Sequence, residues 1–77
     1  MAIVTEFSPV TKERVGRPTT VACGFCGVAI DGDRYLMLET YGSAHRANPG
    51  KPSQSIHLDR SGAATLKRLL EDHFPGI

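Results

Sequence analysis

Seventy-seven residues suffice for one small domain and exclude a two-domain enzyme, since a chain of this size buries only about 60% of the surface it exposes when unfolded. Hydrophobic residues make up 40% and charged residues 22%, a globular rather than a disordered balance. Nine Lys and Arg against eight Asp and Glu leave a net charge of +1, so no global field points to nucleic acid or an anionic membrane.

In chain order, Ile3-Val4-Thr5-Glu6-Phe7 reads as a short strand broken by Ser8-Pro9. It lies in an N-terminal arm, residues 1–18, whose Lys12, Arg14 and Arg17 form a small solvated basic group ending at Pro18. The N-terminus has no basic segment followed by an apolar core, and no apolar run approaches the roughly 18 residues of a membrane span. The expectation is a soluble, cytoplasmic protein with no membrane partner.

Residues 19–77 are expected to form one small α+β domain. Thr19-Thr20-Val21-Ala22 leads into Cys23-Gly24-Phe25-Cys26-Gly27, and Val28-Ala29-Ile30 leaves it, so the stretch reads as a hairpin with the cysteine unit at its turn. Asp31-Gly32-Asp33 is a second turn, because aspartate bonds to nearby amides and glycine accepts positive φ. Arg34 to Tyr41 alternates with Tyr35, Met37, Glu39 and Tyr41 on one face and Leu36, Leu38 and Thr40 on the other; apolar bulk on both sides predicts a central strand.

Gly42 to Pro52, punctuated by two glycines and two prolines, is expected to be a long exposed loop. Ser53 to Leu58 alternates like a strand returning antiparallel to residues 34–41. Asp59 or Ser61 can cap a helix whose Ala63, Leu66, Leu69, Leu70 and Phe74 recur at helical spacing, and Pro75-Gly76 ends it. The predicted architecture is a small antiparallel β-sheet with a zinc-knuckle hairpin and one C-terminal α-helix.

The two cysteines sit two residues apart, too close for a bridge between them to constrain much of the unfolded chain. Two thiolates at this spacing can instead grip one tetrahedral ion, with the glycines letting the backbone turn and aim amides at the sulfurs. A small core nearly cancels against about 1.5 kcal/mol of ordering entropy per residue, and a structural zinc ion supplies an apparent 10–16 kcal/mol or so. The remaining ligands would come from His45, His57, His73 or Asp59. His57 is the first choice, because it lies on the strand before the helix, whereas His45 would have to order its loop. Each has a plainer role: His73 beside the helix dipole, His45 exposed in its loop, His57 facing solvent from its strand, Asp59 as cap.

The Cys23-Gly-Phe-Cys26-Gly27 unit resembles the knuckles of rubredoxin-like, zinc-ribbon and treble-clef modules, and the order knuckle, hairpin, loop, strand, helix resembles a treble clef. The resemblance covers residues 19–70 in layout and five residues in motif; a second Cys-x-x-Cys is absent. It implies a second ligand pair at the last strand and first helical turn, where His57 and Asp59 stand.

Redox chemistry would need Cys-x-x-Cys at a helix N-terminus, but strand and turn residues follow it. A metal-dependent nuclease could be drawn from His45, Asn48 and His57, at a spacing that recommends it little. A nucleic-acid-binding, zinc-finger-like domain would use Arg46, Lys51, Arg60, Lys67 and Arg68, with Tyr35 or Tyr41 as stacking surfaces. The preferred expectation is a non-enzymatic, zinc-binding protein-interaction module, an adaptor or regulator. It would present Phe25 at the knuckle tip, with Tyr41 and the loop residues Arg46 and Lys51, to a protein partner.

Overall fold

The computed structural model describes residues 2–42 and 52–77. Its elements are β1 (Ala2–Val4), β2 (Cys23–Ile30), β3 (Asp33–Tyr41), β4 (Pro52–Leu58) and α1 (Arg60–His73). The strands form one sheet in the order β1-β4-β3-β2, with α1 packed against β3 and β4. This is the expected small α+β arrangement.

β3 is central, as its two apolar faces require, and pairs antiparallel with both β2 and β4. Asp31 and Gly32 join β2 to β3 with φ of 52° and 85°. Positive φ at both central residues gives the turn a twist that matches the flanking strands, and Asp-Gly is a pair that tolerates it. Register shifts between Thr40 and Tyr41, next to Pro52, a position at the start of β4 where proline removes least from the ladder.

Three expectations are corrected. The sheet is mixed, because β1 joins the far edge parallel to β4, pairing Ala2 with Ile56 and Val4 with Leu58. The N-terminal strand is Ala2–Val4, so of the expected Ile3 to Phe7 only Ile3 and Val4 are in it, and residues 5–22 are exposed. The cysteine unit is also not a turn: Thr19 to Ala22 are outside any strand, and Cys23 to Cys26 lie inside β2. The strong Asp31-Gly32 turn takes the reversal, so the chain runs straight from Cys23 through Ile30 in one strand.

Asp59 caps α1 by accepting the Gly62 amide at 2.7 Å, which satisfies one of the orphan donors of the first turn. At the other end the His73 Nδ1 donates to the Leu69 carbonyl at 2.8 Å, placing this ring where cationic character meets the helix dipole favourably. Gly62 is buried, and a Cβ there would lie 3.3 Å from the Val4 carbonyl oxygen and 3.7 Å from Leu58. A glycine is thus what lets the first turn of the helix approach β1.

Burial is sparse. Among the described residues only Leu58, 2% exposed, and His57, 3% exposed, are buried large side chains. No helix among them is long and apolar enough to cross a membrane.

Candidate functional site

Strand register fixes which side chains share a face. Reading across β2, β3, β4 and β1, Phe25 pairs with Leu38, Leu38 with Ile56 and Ile56 with Ala2. The next row on this face runs Gly27, Leu36, Leu58 and Val4. Directly paired residues point to the same side, so eight apolar positions form two adjacent rows on one face. The face is open at Phe25, 78% exposed, Leu36, 40%, and Ile56, 38%, and closed at Leu58, 2% exposed against the first turn of α1.

The opposite face carries Cys26, Met37, His57 and Ile3 in one row, with Tyr35, Glu39 and Tyr41 beside it along β3. Here His57 is buried and Tyr35, Met37, Glu39 and Tyr41 are half-buried, while Cys26 and Ile3 are exposed. The Tyr35 and His57 rings meet edge to face, centroids 6.3 Å apart, and the buried His57 Nδ1 has no hydrogen-bond partner. The Tyr41 hydroxyl donates to Glu39 Oε1 at 2.7 Å. That bond, then burial, then the repulsion of a phenolate by the Glu39 carboxylate and by Cys23 and Cys26 thiolates, hold the Tyr41 phenol above its ordinary value of 10.0.

This geometry separates the expected zinc ligands. Cys23 pairs with Thr40 and Cys26 with Met37; three residues apart in an extended strand, their side chains leave opposite faces. Both are free thiols, exposed, and Cys23 Sγ donates weakly to the Gly24 carbonyl at 3.6 Å. His57 shares the Cys26 face but stands two strands away, beyond Met37. The Asp59 carboxylate is engaged by its own helix. Among the described residues no group of three His, Cys, Asp or Glu side chains is placed to hold one ion, so Cys23, Cys26, His57 and Asp59 do not converge on one site in this conformation. His45, Arg46, Asn48 and Lys51 lie outside the described residues.

The glycines of the cysteine unit have other uses. A Cβ on Gly24 would stand 2.5 Å from the Tyr41 hydroxyl oxygen, so Gly24 makes room for that ring. A Cβ on Gly27 would meet nothing within 4 Å. Gly27 borders an open hollow at the end of the sheet, about 980 Å³, whose walls include Leu36, Leu58 and Ala63.

Phe25 is as exposed as expected, though mid-strand rather than at a turn tip. Tyr41 is half-buried and bonded within its own face. Sequence reading had placed Leu36 and Leu38 on one face of β3; it missed Ile56, Ala2 and Gly27 as members of the same surface, because only register joins them. No family model, curated protein or solved structure matches this chain.

Proposed function

We propose that this chain is a non-enzymatic protein-interaction module, an adaptor or regulator, that engages its partner through the open sheet face centred on Phe25, Leu38 and Ile56. The observation that carries the reading is the exposure of Phe25 at 78% at one end of an all-apolar row. An aromatic left in water on an apolar strip is the composition of a binding anchor, not of a solvated surface. Zinc has no part in this reading, since the fold sends the two sulfurs to different faces.

Support for a non-catalytic role comes from the placement of the reactive groups. Among the described residues the cysteines are apart, His57 is enclosed, and Asp59 is committed to a cap. The nucleic-acid alternative draws on Arg60, Lys67 and Arg68, exposed on α1, with a total charge of only +1 behind them.

The test replaces Phe25 with a photoreactive phenylalanine analogue and irradiates the protein in its native extract. Polypeptide adducts at position 25, absent when the same group replaces the helix residue Glu71, are expected. Excess unlabelled wild type should suppress them, while excess Phe25→Ser should not. Equal adducts at both positions, or adducts with nucleic acid, would remove the reading. The nucleic-acid outcome should bring micromolar binding that weakens steeply with salt.

A further inference from the structure

We infer that Cys23 and Cys26 are a thiol switch: oxidation by a disulfide of the glutathione class joins them, draws residues 23–26 off the sheet edge and withdraws Phe25 from the open face. The last step rests on the interaction reading above and names the regulation of that surface; the first two stand on the fold alone.

Strand and bond exclude each other. Cys23 and Cys26 are exposed free thiols on opposite faces of β2. Extended chain puts α-carbons at this spacing about 10 Å apart, and a disulfide closes only below about 7 Å. Joining them needs a turn. In a β-turn the first and fourth α-carbons lie within about 7 Å. With Cys23 first and Cys26 fourth, the second position falls to Gly24, a residue that accepts positive φ there. The Cys-x-x-Cys pair is thus spaced for a bond that the strand forbids.

The segment is also placed to let go. β2 ends the sheet and pairs with β3 alone among the described elements. Ahead of it residues 5–22 form no strand, and the Tyr41 amide donates to the Ala22 carbonyl at 3.3 Å. After it Gly27 to Ile30 are paired with Leu36 to Asp33 through the Asp31-Gly32 turn. Closing the bond releases Cys23 from Thr40, Gly24 from Glu39, Phe25 from Leu38 and Cys26 from Met37. Phe25 stands between the two cysteines in the chain, so its place in the row with Leu38 and Ile56 is lost with theirs. The forfeited pairing opposes the bond and makes it easily reduced, the character of a regulatory rather than a structural disulfide.

One cysteine thiolate attacks a sulfur of glutathione disulfide, forming a mixed disulfide and expelling one glutathione thiolate; the other cysteine then displaces the second glutathione. The chain loses two protons and two electrons, and the oxidant becomes two glutathione thiols.

The test equilibrates the chain in glutathione buffers of rising oxidised fraction, with and without urea, and follows it by mass spectrometry and nuclear magnetic resonance. An intramolecular disulfide is expected, with an oxidation constant about tenfold smaller in native buffer than in urea, equivalent to about 30 mV. Cross-strand proton contacts between residues 23–26 and 37–40 should vanish in the disulfide form, while those between 28–30 and 33–35 persist. Equal constants in the two media would overturn the inference, as would a chain that forms only mixed disulfides. A disulfide form that keeps the 23–26 contacts, or loses both sets, would do the same. The photoreactive probe at position 25 reads the last step. Its polypeptide adducts should be lost in oxidising extract and should be indifferent to the oxidant in Cys23→Ser/Cys26→Ser. Adducts that survive disulfide formation would overturn the regulation and leave the interaction reading standing. No adducts in either state would remove the interaction reading, and the switch then stands or falls on the constants and the contacts.

Discussion

The Tyr41 hydroxyl passes directly over Gly24 to reach the Glu39 carboxylate, at 2.7 Å from Oε1 and 2.5 Å from where a Gly24 Cβ would stand. A glycine in one edge strand and a tyrosine on the central strand thus define each other. The hydrogen bond exists because the side chain beneath it does not.

Gly24→Ala should therefore displace the Tyr41 ring and break its bond to Glu39. Overpacking and the lost bond together cost about 1–2 kcal/mol, read as a lower urea midpoint. In Gly24→Ala/Tyr41→Phe the colliding oxygen is gone, so the double variant should be less destabilised than the sum of the singles. Simple additivity would mean that the two residues do not contend for this space.

The same bond makes a prediction for alkaline pH. Glu39 accepts from the neutral phenol and repels the phenolate, so Tyr41 in the folded chain loses its proton above the ordinary value of 10.0. A group whose folded value is raised contributes stability that is complete below the unfolded value and is lost as pH climbs through the folded one. Stability should hold up to about pH 10 and fall beyond it. Glu39→Gln should bring Tyr41 ionisation, followed by tyrosinate absorbance, to lower pH.

His57 encloses a nitrogen with no partner, and an unsatisfied buried polar atom costs about 1–3 kcal/mol. His57→Leu removes that atom and keeps much of the volume. We expect a gain of about 1 kcal/mol after the edge-to-face contact with Tyr35 is lost. His57→Ala should instead lose about 2–4 kcal/mol to the cavity it leaves. Denaturant melts of the pair decide: destabilisation by leucine would mean that this nitrogen has a partner in solution.

The Asp59 carboxylate caps the helix by accepting the Gly62 amide. Asp59→Ala should cost about 1 kcal/mol, with Asp59→Asn close to wild type. Adding zinc or a chelator should leave both differences unchanged. Neither treatment should shift the melting of the wild type or of Cys23→Ser, because the thiols stand on opposite faces of β2. A chelator-sensitive midpoint that disappears in Cys23→Ser would reinstate the metal.

Most of the elements were legible in the chain because their signals are local. Alternation in residues 34–41 marked a central strand, Asp31-Gly32 a turn, and Asp59 with the 63–74 stripe a capped helix; each depends on residues within a few positions of one another. The cysteine unit misled for a related reason. Glycines beside two cysteines suit a tight turn, but they suit equally a straight strand that another ring must cross, and only the position of Tyr41 distinguishes these uses.

By itself the sequence determined a small α+β chain with too little apolar residue spacing for a deep interior, and it placed Leu36 and Leu38 on one side of their strand. Tertiary structure decided that Ala2, Ile56, Phe25 and Gly27 lie beside them, and that Cys23 and Cys26 part company. Periodicity sets which way a side chain points along one strand, whereas register between strands far apart in the chain sets its neighbours. An interaction surface made of neighbours from four strands is visible only once the sheet is assembled.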